Sequence, residues 1–106
     1  MNGELRNTMR DIDVLAGPSN AKASYPVSPV GLYGPIPTDR KPWDSRFTVP
    51  FDFSGLPTIA LPCGLDHTGM PVSLQFSGHH LSEPLLIGAG DAFERATDFH
   101  NLHPPI

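Results

Sequence analysis

Between residues 20 and 46 the chain carries five prolines, Pro26, Pro29, Pro35, Pro37 and Pro42, together with Gly31 and Gly34 and no repeating apolar period; Pro18 stands just ahead. Proline fixes φ and donates no backbone hydrogen bond, so neither a helix nor a central strand runs through such a stretch. An irregular loop of this length is uncommon inside a compact domain. It is either functional or laid over a surface supplied by something else. With 106 residues in all, the chain has room for one domain at most. We read 1–106 as a partial domain with 20–46 as its Pro-rich loop, which excludes a large multilayer enzyme.

The regular elements lie on either side of that loop. Leu5 and Met9 are four residues apart in MNGELRNTMR, the spacing of a helix ending near Arg10. The short apolar run 12–15 reads as a buried strand stopped by Gly17 and Pro18. Pro50 and Gly55 bracket a single helical turn in PFDFSG. The runs 56–63 and 70–77 flank a turn at 64–69 and predict an antiparallel hairpin. In the second run Val72, Leu74 and Phe76 alternate with Ser73, Gln75 and Ser77, which predicts one buried and one solvent-facing side. A helix is expected over 83–97. Ser82 would cap it, Pro84 would sit in its first turn, and Leu85, Leu86, Ala89, Ala92, Phe93 and Ala96 would form one apolar face.

Composition limits the functions open to such a chain. A formal net charge of -4, with seven Lys and Arg spread singly, offers no basic stripe for a phosphate backbone, so no nucleic-acid partner is expected. The apolar runs fall far short of the roughly 20 residues of a membrane span, so no membrane partner is expected either. The first ten residues lack the apolar core of a secretory signal and one cysteine forms no internal disulfide; the expected location is cytoplasmic.

No catalytic constellation is legible. His79 and His80 are adjacent and His100 and His103 are three apart, but nothing nearby completes a tetrahedral ligand set, and solvated histidines are the simpler reading. No metal and no cofactor are expected. Cys63 ends an apolar strand and reads as a buried, inert thiol rather than a nucleophile. LIGAGDAF contains G-x-G without a preceding strand, so a dinucleotide fingerprint fails on context. Gly88 and Gly90 are read as small residues that let a helix approach a sheet. Asp11 with Asp13, and Asp91 with Glu94 and Asp98, suit solvated faces and helix ends.

One longer pattern remains. FTVPFDFSGLP, ALPCG, MPVSLQFSG and the paired Leu85 and Leu86 followed by Ala92, Phe93 and Glu94 occur in order with regular spacing, and DVLAGPS precedes them. Together they resemble the C-terminal end of amidase signature enzymes. The matching positions include Phe47, Thr48, Pro50, Gly55, Pro57, Pro62, Gly64, Pro71, Leu74, Gln75 and Gly78, and the likeness covers nearly the whole chain.

The resemblance implies an α/β fold: a C-terminal fragment of a mixed-sheet α/β/α sandwich that contributes short strands, a hairpin and a C-terminal helix. It implies hydrolysis of carboxylic amide C–N bonds by a serine, a second serine and a lysine that all lie upstream of this region. No residue here is therefore assigned a catalytic role. Asp52 stands where the family turn has Asn, and Ser73 where Gly precedes Leu-Gln. Ser45 occupies the place where the glutamine-using amidotransferases of the family carry an acidic residue, with Asp44 one place off, which favours a general amidase with a less polar pocket. Trp43, Phe47 and Phe51 would then form a substrate-binding wall, with ordinary core packing an equally good account of them. The expected partners are the rest of an amidase fold or a second copy of the chain, and a small-molecule amide only in the complete enzyme. The alternative is a non-catalytic module that self-associates or docks through an open sheet edge.

Overall fold

Eight residues from Thr58 to Leu65 and eight from Pro71 to Gly78 pair antiparallel, Ile59 opposite Phe76 and Leu61 opposite Leu74, and form the predicted hairpin. In the computed structural model, which describes residues 2–21 and 45–103, these are strands β2 and β3 of a three-stranded sheet in the order β1-β3-β2. Ahead of them come helix α1 (Asn2–Thr8), β1 (Val14–Pro18) and helix α2 (Val49–Ser54); helix α3 (Glu83–Ala96) and a 3-10 turn (Phe99–Asn101) follow. The α/β expectation is borne out, and all strand pairing among the described residues is antiparallel. The 20–46 loop lies outside the described residues except at its two ends.

The hairpin turn is held by one side chain. Asp66 Oδ1 accepts hydrogen bonds from Thr68 N at 2.8 Å, Thr68 Oγ1 at 2.6 Å and Met70 N at 3.0 Å. The Thr68 hydroxyl, followed by the Met70 amide, holds the Asp66 carboxyl below its ordinary value near 3.8. A carboxyl whose folded-state pKa is depressed contributes stability above its unfolded pKa and loses it as pH falls through the folded one. Further along the hairpin a bulge falls between Pro62 and Gly64, where the register shifts and Cys63 is left without an opposite residue. Pro62 lacks the N–H a regular ladder would require, and Gly64 accepts φ 140° there without a Cβ clash. Cys63 is half-buried at this irregularity, not sealed in the core as its apolar strand suggested.

Strand β1 begins two residues later than the apolar run predicted and includes Gly17 and Pro18. Pro18 does not stop the strand because β1 is at the edge of this sheet, where a missing N–H breaks no ladder. The runs that read as fully apolar, β1 and β2, are the outer strands among the described residues, and the alternating one is central.

Helix α3 packs on the face that carries Ile59, Leu61, Leu74 and Phe76. A Cβ on Gly90 would lie 3.2 Å from Ile59 Cδ1 and 3.5 Å from Leu61 Cδ1, so the absence of a side chain sets this close approach. Gly88 meets nothing within 4 Å, so only one of the two helix glycines has the expected packing role. Phe76, Phe93 and Phe99 join the layers: Phe93 meets Phe76 edge-on at 6.0 Å and lies roughly parallel to Phe99 at 6.4 Å. The buried stripe of α3 is narrower than predicted. Leu86 is 2% exposed and Gly90 is buried, whereas Leu85, Ala92 and Ala96 face outward. Ser82 precedes the helix but does not cap it; its hydroxyl donates to His79 O at 2.7 Å. An exposed Asp91–Arg95 ion pair one turn apart supports the outer face.

The opposite face of the sheet departs from expectation. Gln75 and Ser77, expected to face solvent, are 5% and 0% exposed. Gln75 Nε2 donates to Phe47 O at 2.5 Å, which fastens the segment before α2 over the centre of the sheet. Both faces of β3 are thus covered, and alternation in the strand separates two packed environments instead of core from water. Ser77 Oγ is buried with no hydrogen-bond partner. Ser77→Ala is expected to be neutral or to stabilise by about 1 kcal/mol, because it removes an unsatisfied buried hydroxyl. Gln75→Ala should instead destabilise by about 1–3 kcal/mol, since it opens space and strands the Phe47 carbonyl. Urea melts of the two variants would instead agree within about 0.5 kcal/mol if Ser77 were solvent-facing and Gln75 idle.

Candidate functional site

The segment ahead of α2 is shaped by its own short-range bonds. Ser45 O accepts from Thr48 N at 3.1 Å and Thr48 Oγ1 at 3.2 Å, turning the chain into a helix that Pro50 helps to start. Gly55, at φ 69°, closes it by donating N–H to Phe51 O at 2.9 Å. This single turn fixes Phe51 one helical turn after Phe47, on the side that faces the sheet, while Phe53 is left 75% exposed.

Phe47 and Phe51 line a hollow of about 250 Å³ over the second sheet face, together with Leu15, Gly17, Gln75 and Ser77. Two of the three predicted wall residues are therefore brought together, each half-buried. Trp43 lies outside the described residues. The floor contributed by β1 and β3 was not legible in the sequence, because Gln75 and Ser77 sit on the side of β3 that alternation assigns to solvent. The signal that would have found it is the Gln of the L-Q-x-x-G run, a long amide side chain in an otherwise small-polar stripe.

The surroundings are largely uncharged. Arg46 lies with its guanidinium carbon 5.8 Å from the centre of the Phe47 ring, at the outer rim. Among the described residues no Asp, Glu, Lys or His lines the hollow. Among the described residues no group of three His, Cys, Asp or Glu is placed to hold a metal ion. His79 Nε2 donates to Ile12 O at 2.9 Å, which ties the connection after β3 to the chain entering β1. Ser45 is exposed and uses its carbonyl for the turn.

Comparison with known proteins decides the family. The Amidase family model matches residues 1–87. The chain belongs to the amidase family. It is 38% identical over 104 residues to "Putative amidase AmiD" of Mycobacterium tuberculosis (strain H37Rv), an alignment that takes in 96% of this chain and 21% of that protein. It is also 32% identical over 105 residues to a glutamyl-tRNA(Gln) amidotransferase chain of Listeria monocytogenes, covering 94% of this chain and 20% of the relative. The corresponding amidotransferase chain from a Cyanothece strain is 42% identical over 59 residues, 56% of this chain and 12% of that protein. The chain thus spans about one fifth of the length of the curated relatives it matches, and is a partial amidase-type segment. No helix among the described residues is long and apolar enough to cross a membrane.

Proposed function

We propose that this amidase segment serves a protein that hydrolyses carboxylic amide C–N bonds, supplying sheet, helix and one wall of the substrate pocket while the catalytic serines and lysine come from elsewhere in the fold. The observation that carries the wall is the hollow in which Phe47 and Phe51 stand over Gln75 and Ser77. Two rings half-open to solvent present apolar contact area, and the uncharged lining among the described residues favours a neutral acyl or aryl group over an amino-acid head group. That lining, with Ser45 in place of an acid, supports a general amidase over a glutamine-using one. Trp43 would extend the same wall.

The exposed apolar side chains supply the partner reading. Leu81 is 89% exposed, Ile87 63%, and Leu65 and Leu102 51% each. In a protein of the relatives' length these are surfaces for the remaining amidase layers to cover; in the chain alone they favour a second copy, at cytoplasmic concentrations included.

Benzamide titrated into the chain should move the NMR ring signals of Phe47 and Phe51 saturably and leave those of Phe93 and Phe99 in place. Phe51→Ala should weaken that binding about tenfold, the loss of one well-packed aromatic contact. Unmoved Phe47 and Phe51 signals would mean that the two rings are only packing against the sheet.

A further inference from the structure

A second hollow of about 130 Å³ lies between α1, the end of α2 and the connection from β3 to α3. Its lining divides by chemistry. Leu5, Met9 and Leu56 supply apolar surface, with Met9 itself only 2% exposed, Ser54 adds a hydroxyl, and Arg6, His79 and His80 bring nitrogen groups, of which Arg6 and His80 have donors not used elsewhere among the described residues. Among the described residues no carboxylate lines it. Arg6 has no ion pair or hydrogen bond among the described residues, and the acidic side chains of the neighbouring segments, Glu4, Asp11, Asp13, Asp52 and Glu83, are exposed.

In a chain of net charge -4 with only seven Lys and Arg, three basic groups converge here from positions more than seventy residues apart. His79 is held in place: its Nε2 carries the hydrogen donated to Ile12 O, so in the neutral ring the other nitrogen is an acceptor, while His80 Cε1 lies 3.7 Å from where a Gly55 Cβ would be.

We propose that this hollow is a binding site for a small carboxylate with a short apolar tail. The carboxylate would face Arg6 and the His80 imidazole, where a guanidinium offers paired donors that match two carboxylate oxygens. The tail would lie on Leu5, Met9 and Leu56. Size sets the tail length: an apolar cavity of about 150 Å³ accommodates benzene, so a molecule of about six heavy atoms fits, and butyrate has that many. The site is separate from the Phe47 and Phe51 wall, shares no lining residue with it, and stands whether or not that wall binds amides.

The test is an NMR titration of the 106-residue chain with sodium butyrate, n-butanol and inorganic phosphate, read at the His79 and His80 ring signals and the Met9 methyl. Butyrate is expected to move all three saturably, and more tightly than either other probe, since n-butanol has only the tail and phosphate only the charge. Arg6→Gln should weaken butyrate about tenfold, the loss of a charge-assisted hydrogen bond. Arg6 is exposed, so the variant should keep the parent's backbone amide spectrum, and His80→Gln gives a second, equally exposed variant with the same expectation. Absence of saturable shifts, phosphate or butanol binding as tightly as butyrate, or both variants binding butyrate unchanged would each overturn the proposal.

Discussion

Leu86→Ala is expected to abolish the cooperative thermal melt of this chain, while Leu85→Ala leaves it nearly unchanged. The two leucines are adjacent and the sequence places both on the apolar face of α3, yet Leu86 is 2% exposed and Leu85 47%. Leu86 packs close to Gly78 at the end of the central strand, where its side-chain carbons lie 3.3 Å from the position a Cβ would take, so truncation leaves a cavity that backbone cannot fill. Such a change costs about 2–5 kcal/mol. A chain of about a hundred residues has only about 5–15 kcal/mol in all, and one with three buried large apolar side chains among its described residues sits low in that range. Leu85→Ala should cost under about 1 kcal/mol, as expected where little burial is lost. Equal losses would show that α3 is rotated about its axis from the position described.

The second large effect is on catalysis. Incubated with simple aryl and alkyl amides, the 106-residue chain should release no product above buffer, because the proposed function takes its catalytic serines and lysine from elsewhere in the fold. Enzymes of ordinary efficiency accelerate such reactions by at least about 10⁶-fold, so the absence is measurable with a chromogenic anilide. Adding the upstream part of an amidase is expected to restore turnover and, in sedimentation, to convert the chain into a defined complex. Turnover by the chain alone that disappears on Cys63→Ala would overturn this and make the half-buried thiol in the bulge a nucleophile.

Much of the local structure was legible because it depends on short-range rules. Pro50 and Gly55 delimit α2 within a residue of its observed ends, since one fits a helix start and the other a left-handed stop. The α3 boundaries follow from Pro84 near the start and the end of the apolar period. The hairpin follows from two apolar runs and a turn whose Asp66 gathers three donors by itself. Phe47 and Phe51 stand in the stretch that carries the family pattern, and one helical turn suffices to bring them to the same hollow.

Tertiary packing alone decided the rest. Strand order placed the alternating β3 at the centre and the apolar β1 at the edge, so Pro18 became admissible and Gln75 and Ser77 became buried. Periodicity reports which residues share a face, not what covers it. The cover came from residue 47, whose carbonyl Gln75 reaches across 28 positions of sequence. The basic hollow has the same origin: Arg6, His79 and His80 form no motif along the chain, and they meet only because β1 and β3 pair antiparallel and bring α1 beside the start of α3. Elements were determined by the sequence because each rests on neighbours within a turn or a strand. Sites were decided by the fold because each joins side chains whose separation along the chain carries no period.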